Sequence, residues 1–203
     1  MLIRDILLED ERRKGVTGLK KSKVAKGVST HKVTDPLQRA KDEQEEELYK
    51  DLGTYIAMTV NEKSASAIRN FMIDYEIENP VPPAEMHVTV YASDSFLKGL
   101  EPWGILEEPI FVHGFTLDFF DKTLVAKFES QELEDRHNEI DRMFPDAKFK
   151  ESEFIPHITL SYDGQSSQID LDRFSYFFNE YVGVVELDSE YVEPMKNSDY
   201  EDS

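Results

Sequence analysis

Two histidines, each followed two positions later by a threonine, stand in apolar runs seventy residues apart: His87 and Thr89 in EMHVTVYA, His157 and Thr159 in PHITLSY. In a β-strand, residues i and i+2 point to one face. Each run therefore has an apolar side for packing, Val88 with Val90 and Ile158 with Leu160, and a polar side carrying an imidazole beside a hydroxyl. Two such strands facing one cleft would bring together a general base, a general acid and two hydroxyl donors for a phosphoryl oxygen. That set suits phosphodiester cleavage without a metal. An unperturbed imidazole pKa near 6.5 lets one ring be neutral while the other is protonated around neutral pH. The acidic surroundings are expected to raise both imidazole pKa values.

A single copy would read as a core histidine with a satisfied ring, but a second copy of the same four-residue pattern calls for a joint role. The competing chemistry is metal binding. Neither histidine belongs to a His-x-x-x-His or Glu-x-x-His cluster, and the chain has no cysteine, so thiolate nucleophiles, disulfides and the usual structural zinc sites are absent too. No metal and no cofactor are expected. His113 and His137 occur singly and read as structural or surface residues, and His31 lies in a basic segment of no chemical pattern.

The elements that must position these groups follow from periodicity. GTYIAMTV alternates as a strand; EKSASAIRNFMIDYE places Ala67, Ile68, Phe71, Met72 and Tyr75 at helical spacing; NPVPP breaks that helix before EMHVTVYA. EPIFVHGFTLDFF and KTLVAKFE read as two adjacent strands turned at Asp121 and Lys122. SQELEDRHNEIDRMF reads as a helix capped by Ser130 with Leu133, Ile140 and Met143 inward. PHITLSY, a helix at LDRFSYFFNEY and a closing strand at VGVVELDSEYVEPM complete the series. The order gives two α+β halves, each with a helix shortly before its His-x-Thr strand, as an internal duplication would.

Charge is divided unevenly. Residues 1–50 carry 12 Lys/Arg against 10 Asp/Glu, while residues 51–203 carry 11 against 32. So acidic a body disfavours duplex nucleic acid, whose binding needs several cations on phosphates, yet a small phosphate ester can still enter a locally polar pocket. Residues 1–50 read as a flexible basic arm followed by a polar helix opened by Asp35 and Pro36, and no partner for the arm can be named. Residues 51–193 form the expected domain and 194–203 an acidic disordered tail. With no membrane-spanning run and no secretory pattern, the chain reads as cytoplasmic.

The tandem His87-Val-Thr-Val90 and His157-Ile-Thr-Leu160 motifs, in a chain of this topology, resemble the 2H phosphoesterase superfamily over residues 51–193. The resemblance implies a bilobed, pseudosymmetric α+β fold, two antiparallel-sheet lobes with outer helices around a central cleft. It implies metal-free cleavage of 2′,3′-cyclic phosphates or of 2′,5′ and 3′,5′ phosphodiesters, with His87, Thr89, His157 and Thr159 in the catalytic places. GTYIAMTVN, the approach to HVTV and FIPHITLSY are most similar to phage-encoded anti-CBASS phosphodiesterases, which degrade the cyclic di- and trinucleotide signals of bacterial immunity in the host cytoplasm. On that resemblance Tyr55 stacks on a base, and Glu186 and Tyr191 on the closing strand contact the nucleotide. Two alternatives stand beside it: processing of RNA ends bearing 2′,3′-cyclic phosphates, and a noncatalytic nucleotide-binding or virion-associated module.

Overall fold

A computed structural model describes Tyr49 and residues 52–150, 153–164 and 170–196. The expected arm, all of its polar helix except the helical Tyr49, and most of the acidic tail lie outside the described residues. Among residues 52–196, as far as they are described, seven strands and three α-helices follow in the order β1 (Leu52–Val60), α1 (Glu62–Asp74), β2 (His87–Ser93), β3 (Gly104–His113), β4 (Thr116–Phe120), β5 (Thr123–Lys127), α2 (Gln131–Met143), β6 (His157–Ser161), α3 (Leu171–Tyr181) and β7 (Val184–Lys196). The chain is thus α+β, as its pattern implies, and β7 continues past residue 193.

Every strand pairing is antiparallel, in one sheet of order β3-β7-β1-β2-β6-β5-β4. The sheet has two parts. Long ladders tie β3, β7, β1 and β2 into one and β4, β5 and β6 into the other, while β2 and β6 meet through the single pair Val88 and Ile158. The His-x-Thr strands are therefore the two inner edges of the halves, laid side by side.

Local chemistry sets the helix starts. The Asn61 side chain accepts from the Ser64 amide at 2.8 Å, and Ser130 and Asp170 cap α2 and α3 by the same i to i+3 bond. Each satisfies an amide that the helix itself leaves unpaired. Ala65, Ile68, Phe71 and Met72 form the buried stripe of α1, and Leu133 and Ile140 that of α2. Met143, expected inward, is 52% exposed because it ends the last turn of α2. Phe71 meets Phe174 at 5.0 Å and Phe178 at 5.1 Å, locking α1 to α3. Such ring pairs contribute about 0.5–1.5 kcal/mol each beyond burial.

One expected strand is two. EPIFVHGFTLDFF divides at Gly114, whose φ of 71° lies where a side chain is strained. The break sends the chain from β3, at one edge of the sheet, to β4, at the other. Phe115 at the crossing is buried, and its amide and carbonyl are both bonded by the Asn179 side chain of α3 at 2.8 and 2.7 Å. The turn between β4 and β5 falls at Asp121 and Lys122, with Asp121 at φ 55°. Among the described residues no helix is long and apolar enough to cross a membrane.

Candidate active site

The alternation of the two motifs is realised on both strands. Val88, Val90, Ile158 and Leu160 are fully buried in the common core, whereas His87, Thr89, His157 and Thr159 are half-buried on the opposite face. The Val88–Ile158 pair places the two polar sets next to each other across β2 and β6. The sheet thus brings all four expected catalytic residues to one surface.

Each histidine is oriented in the same way. His87 Nδ1 lies 2.7 Å from the Glu85 carbonyl and His157 Nδ1 lies 2.7 Å from the Ile155 carbonyl, in both cases the residue two positions earlier. A carbonyl oxygen only accepts, so both Nδ1 atoms carry the proton and both Nε2 atoms are left for chemistry. An aromatic edge flanks each ring: Tyr55 lies 5.8 Å from His87 and Phe120 lies 4.9 Å from His157.

The halves differ beyond that point. The Tyr55 hydroxyl is 2.7 Å from His87 Nε2 and 2.6 Å from Thr89 Oγ1. Beside His157, its cross-strand neighbour Lys127 forms an ion pair with Asp118 at 2.5 Å, which holds the Asp118 carboxyl below the usual range through the hydrogen bond from Lys127 and then the Phe119 amide. His87 runs against the expectation of raised imidazole pKa values. Burial lowers its pKa and outweighs the Glu85 carbonyl bond and the carboxylates of Glu193 and Glu85, and the neighbouring His157 acts in the same direction as burial.

Thr59, Glu85, Met86, His87, Tyr162, Tyr191 and Glu193 line a pocket of about 420 Å³. That volume is within the range of small-ligand sites. Tyr191 faces Ala57 across β1 and β7, and its ring lies 6.5 Å from that of Tyr55. Burial, then Glu193 and Tyr162, push the Tyr191 phenol up, so it stays protonated at neutral pH. Tyr55, Tyr191 and both motifs thus share one face of the sheet.

Glu186 does not join them. It sits opposite Phe111 near the start of β7, its amide bonded to Ser64 Oγ at 3.1 Å. An irregular register at Thr59 and Val60, pairing them with Ser189 and Leu187, turns Glu186 to the same face as Tyr191 but leaves it roughly 13 Å away along the strand. The pocket's closing-strand acid is Glu193, the cross-strand partner of Tyr55. The signal for Glu193 was its position two residues after Tyr191. Of the single histidines, His137 is structural: its Nδ1 bonds the Val90 carbonyl at 2.8 Å and its ring stacks on Phe154 at 4.3 Å, holding the approach to the second motif against β2. His113 lines a separate hollow with Thr116 and Lys127. Among the described residues no group of three or more His, Cys, Asp or Glu side chains is placed to hold a metal ion.

The profile of the family described as "Anti-CBASS protein Acb1" matches residues 52–202. The chain belongs to the Acb1 anti-CBASS family. A curated Acb1 protein, "Anti-CBASS protein Acb1" of Escherichia phage RB16, is 28% identical over 120 residues, spanning 59% of this chain and 68% of the phage protein. Among solved structures, a crystal structure of a phosphoesterase superposes with a TM-score of 0.49 at 12% identity, over 70% of this chain and 88% of its own. The Thermus thermophilus protein TT0787 superposes with 0.42 at 16%, over 70% and 84%. Both scores fall below one half, so membership in Acb1 rests on the sequence match. The resemblance carried by the paired motifs is thereby borne out, and the Acb1 match begins where β1 begins.

Proposed function

We propose that the chain is a metal-independent phosphodiesterase that opens 3′,5′ bonds of cyclic di- and trinucleotides such as 3′,3′-cyclic GMP-AMP, disarming CBASS defence in the host cytoplasm. The observation that carries this reading is the pair of imidazoles with Nε2 free of the backbone, each with a threonine two residues on, on adjacent strands of an Acb1-family chain. A ribose 2′-hydroxyl gives its proton to one Nε2 and attacks the neighbouring phosphorus. The P–O5′ bond breaks and the departing oxygen takes a proton from the other Nε2. Thr89 and Thr159 donate to the phosphoryl oxygens. A 2′,3′-cyclic phosphate results, which water opens in a second step with the histidines' roles exchanged.

The aromatic groups support a nucleotide as ligand. Tyr191 and the exposed Tyr162 line the pocket and Tyr55 lies behind them with its ring 6.5 Å from that of Tyr191, where stacking on a base contributes about 1–3 kcal/mol. Glu193 is the acid poised to accept from a base amino group or ribose hydroxyl. The test is a mass-spectrometric screen of cyclic oligonucleotides and 2′,3′-cyclic-phosphate RNA ends against the pure full chain, with and without excess EDTA. Linearisation of a cyclic oligonucleotide at the same rate in both arms is expected. Cleavage of RNA ends alone, or loss of activity with chelator and recovery with metal, overturns the reading.

A further inference from the structure

We propose that the Tyr55 hydroxyl is a positioning group that presents His87 Nε2 as a bare lone pair, making His87 the base of the ring-opening step and His157 its acid. The proposal rests on the phosphodiesterase reading above and assigns roles that the motifs alone leave symmetric.

Proton bookkeeping leads to it. The Glu85 carbonyl fixes the His87 proton on Nδ1, so a neutral ring has only an acceptor at Nε2. The Tyr55 hydroxyl, 2.7 Å away, must then donate to it. With its proton committed there, the same oxygen receives the Thr89 hydroxyl at 2.6 Å. The chain of donors runs from Thr89 through Tyr55 to His87 and ends on the lone pair. Burial of the ring and the nearby His157 favour this neutral form. The opposing carboxylates are Glu85, just before β2, and Glu193 on β7, while the neutral phenol of Tyr191 also borders the pocket.

Among the described residues the second half lacks this device. Its carbonyl bond from Ile155 is the same, but the ring against His157 is Phe120, which has no hydroxyl to donate. The phenol thus occupies the place of a donating hydroxyl on His87 alone, where a ribose 2′-hydroxyl would deliver its proton. Binding of that hydroxyl displaces the phenol from Nε2 and releases the Thr89 hydroxyl, whose proton then serves the phosphoryl oxygen. The proton passes to His87, O2′ bonds to phosphorus, the P–O5′ bond breaks, and O5′ takes the proton from His157.

Tyr55→Phe keeps the ring and removes only the hydroxyl. In the full chain, imidazole nitrogen NMR of this variant should show the His87 pKa raised by about 0.5–1 unit, the equivalent of one lost hydrogen bond to the neutral form. The acid limb of kcat/KM should move up with it while KM holds. An unmoved His87 titration overturns the positioning role. The acid and base assignment is read with uridine 3′-(4-nitrophenyl phosphate), whose leaving group departs without a proton. His157→Ala should recover most of its lost rate on this substrate and His87→Ala should not; recovery by His87→Ala instead overturns the assignment. Should the wild type open no cyclic oligonucleotide, the proposed function fails, while the NMR titration still decides what Tyr55 does.

Discussion

Val88 and Ile158 face each other as the one cross-strand pair between β2 and β6 among the described residues, and neither side chain reaches solvent. The two halves of the sheet are joined through this contact, and on its reverse side lie His87 and His157. Packing at the seam and the spacing of the two motif imidazoles are one property.

Shortening the seam should therefore affect stability first. Ile158→Val should cost about 0.5–1.5 kcal/mol and Ile158→Ala about 2–5 kcal/mol in urea denaturation, the larger figure including the cavity left behind. Turnover per folded molecule should survive the first change. Loss of activity in folded Ile158→Val would show that ring spacing tolerates less than a methyl group.

In the proposed mechanism, replacing either imidazole removes a proton carrier. His87→Ala and His157→Ala should each lower turnover of the cyclic substrate by at least about 100-fold, with secondary structure unchanged by circular dichroism. A single variant retaining the wild-type rate would remove that residue from the chemistry.

Glu193 and Glu186 can be told apart by pH. The Glu193 carboxylate raises the His87 pKa against the lowering by burial, so Glu193→Gln should lower it further. A base that stays neutral to lower pH moves the acid limb of kcat/KM to lower pH. Glu186→Gln, altered far along β7, should leave that limb in place. The reverse pattern would return the site role to Glu186.

Away from the pocket, Arg136 and Glu190 form an ion pair at 2.9 Å with side chains 4% and 0% exposed. Glu190 also accepts the Trp103 amide at 2.7 Å, tying α2, β7 and the segment before β3 together. Glu190→Ala leaves the buried guanidinium with only the half-exposed Glu139 carboxylate and the Glu101 carbonyl, and should cost about 2–4 kcal/mol, read by denaturation, less than the loss of a sole partner. Replacing both charges with apolar residues of similar volume should cost much less.

Much of this arrangement was written in short-range patterns. The two-residue period of HVTV and HITL placed four residues on one face because burial of one side of a strand forces the other outward. The cap at Ser130 and the turn at Asp121 and Lys122 were readable from local chemistry in the same way. What escaped depended on the path between elements. Gly114 separates two strands at opposite sheet edges, and nothing within EPIFVHGFTLDFF says where its halves will pair. The resemblance points to Glu186, and the pattern of VGVVELDSEYVEPM does not single out Glu193, because register along β7 is set by its partner β1. The direction of the His87 shift was missed because charge is visible in a sequence and burial is not. The Tyr55 hydroxyl bond joins neighbouring strands and has no local trace.

The pairing of β1 with β7 runs from Leu52 with Lys196 to Val60 with Leu187. It unites segments that leave the ribosome far apart in time, and so distant a contact carries a loop-closure cost that slows folding. Tyr55 is synthesised early, but its neighbours Tyr191 and Glu193 come among the last described residues. The pocket beside His87 is consequently a late product of folding: a nascent chain can hold both His-x-Thr motifs while one wall of that pocket has yet to be made.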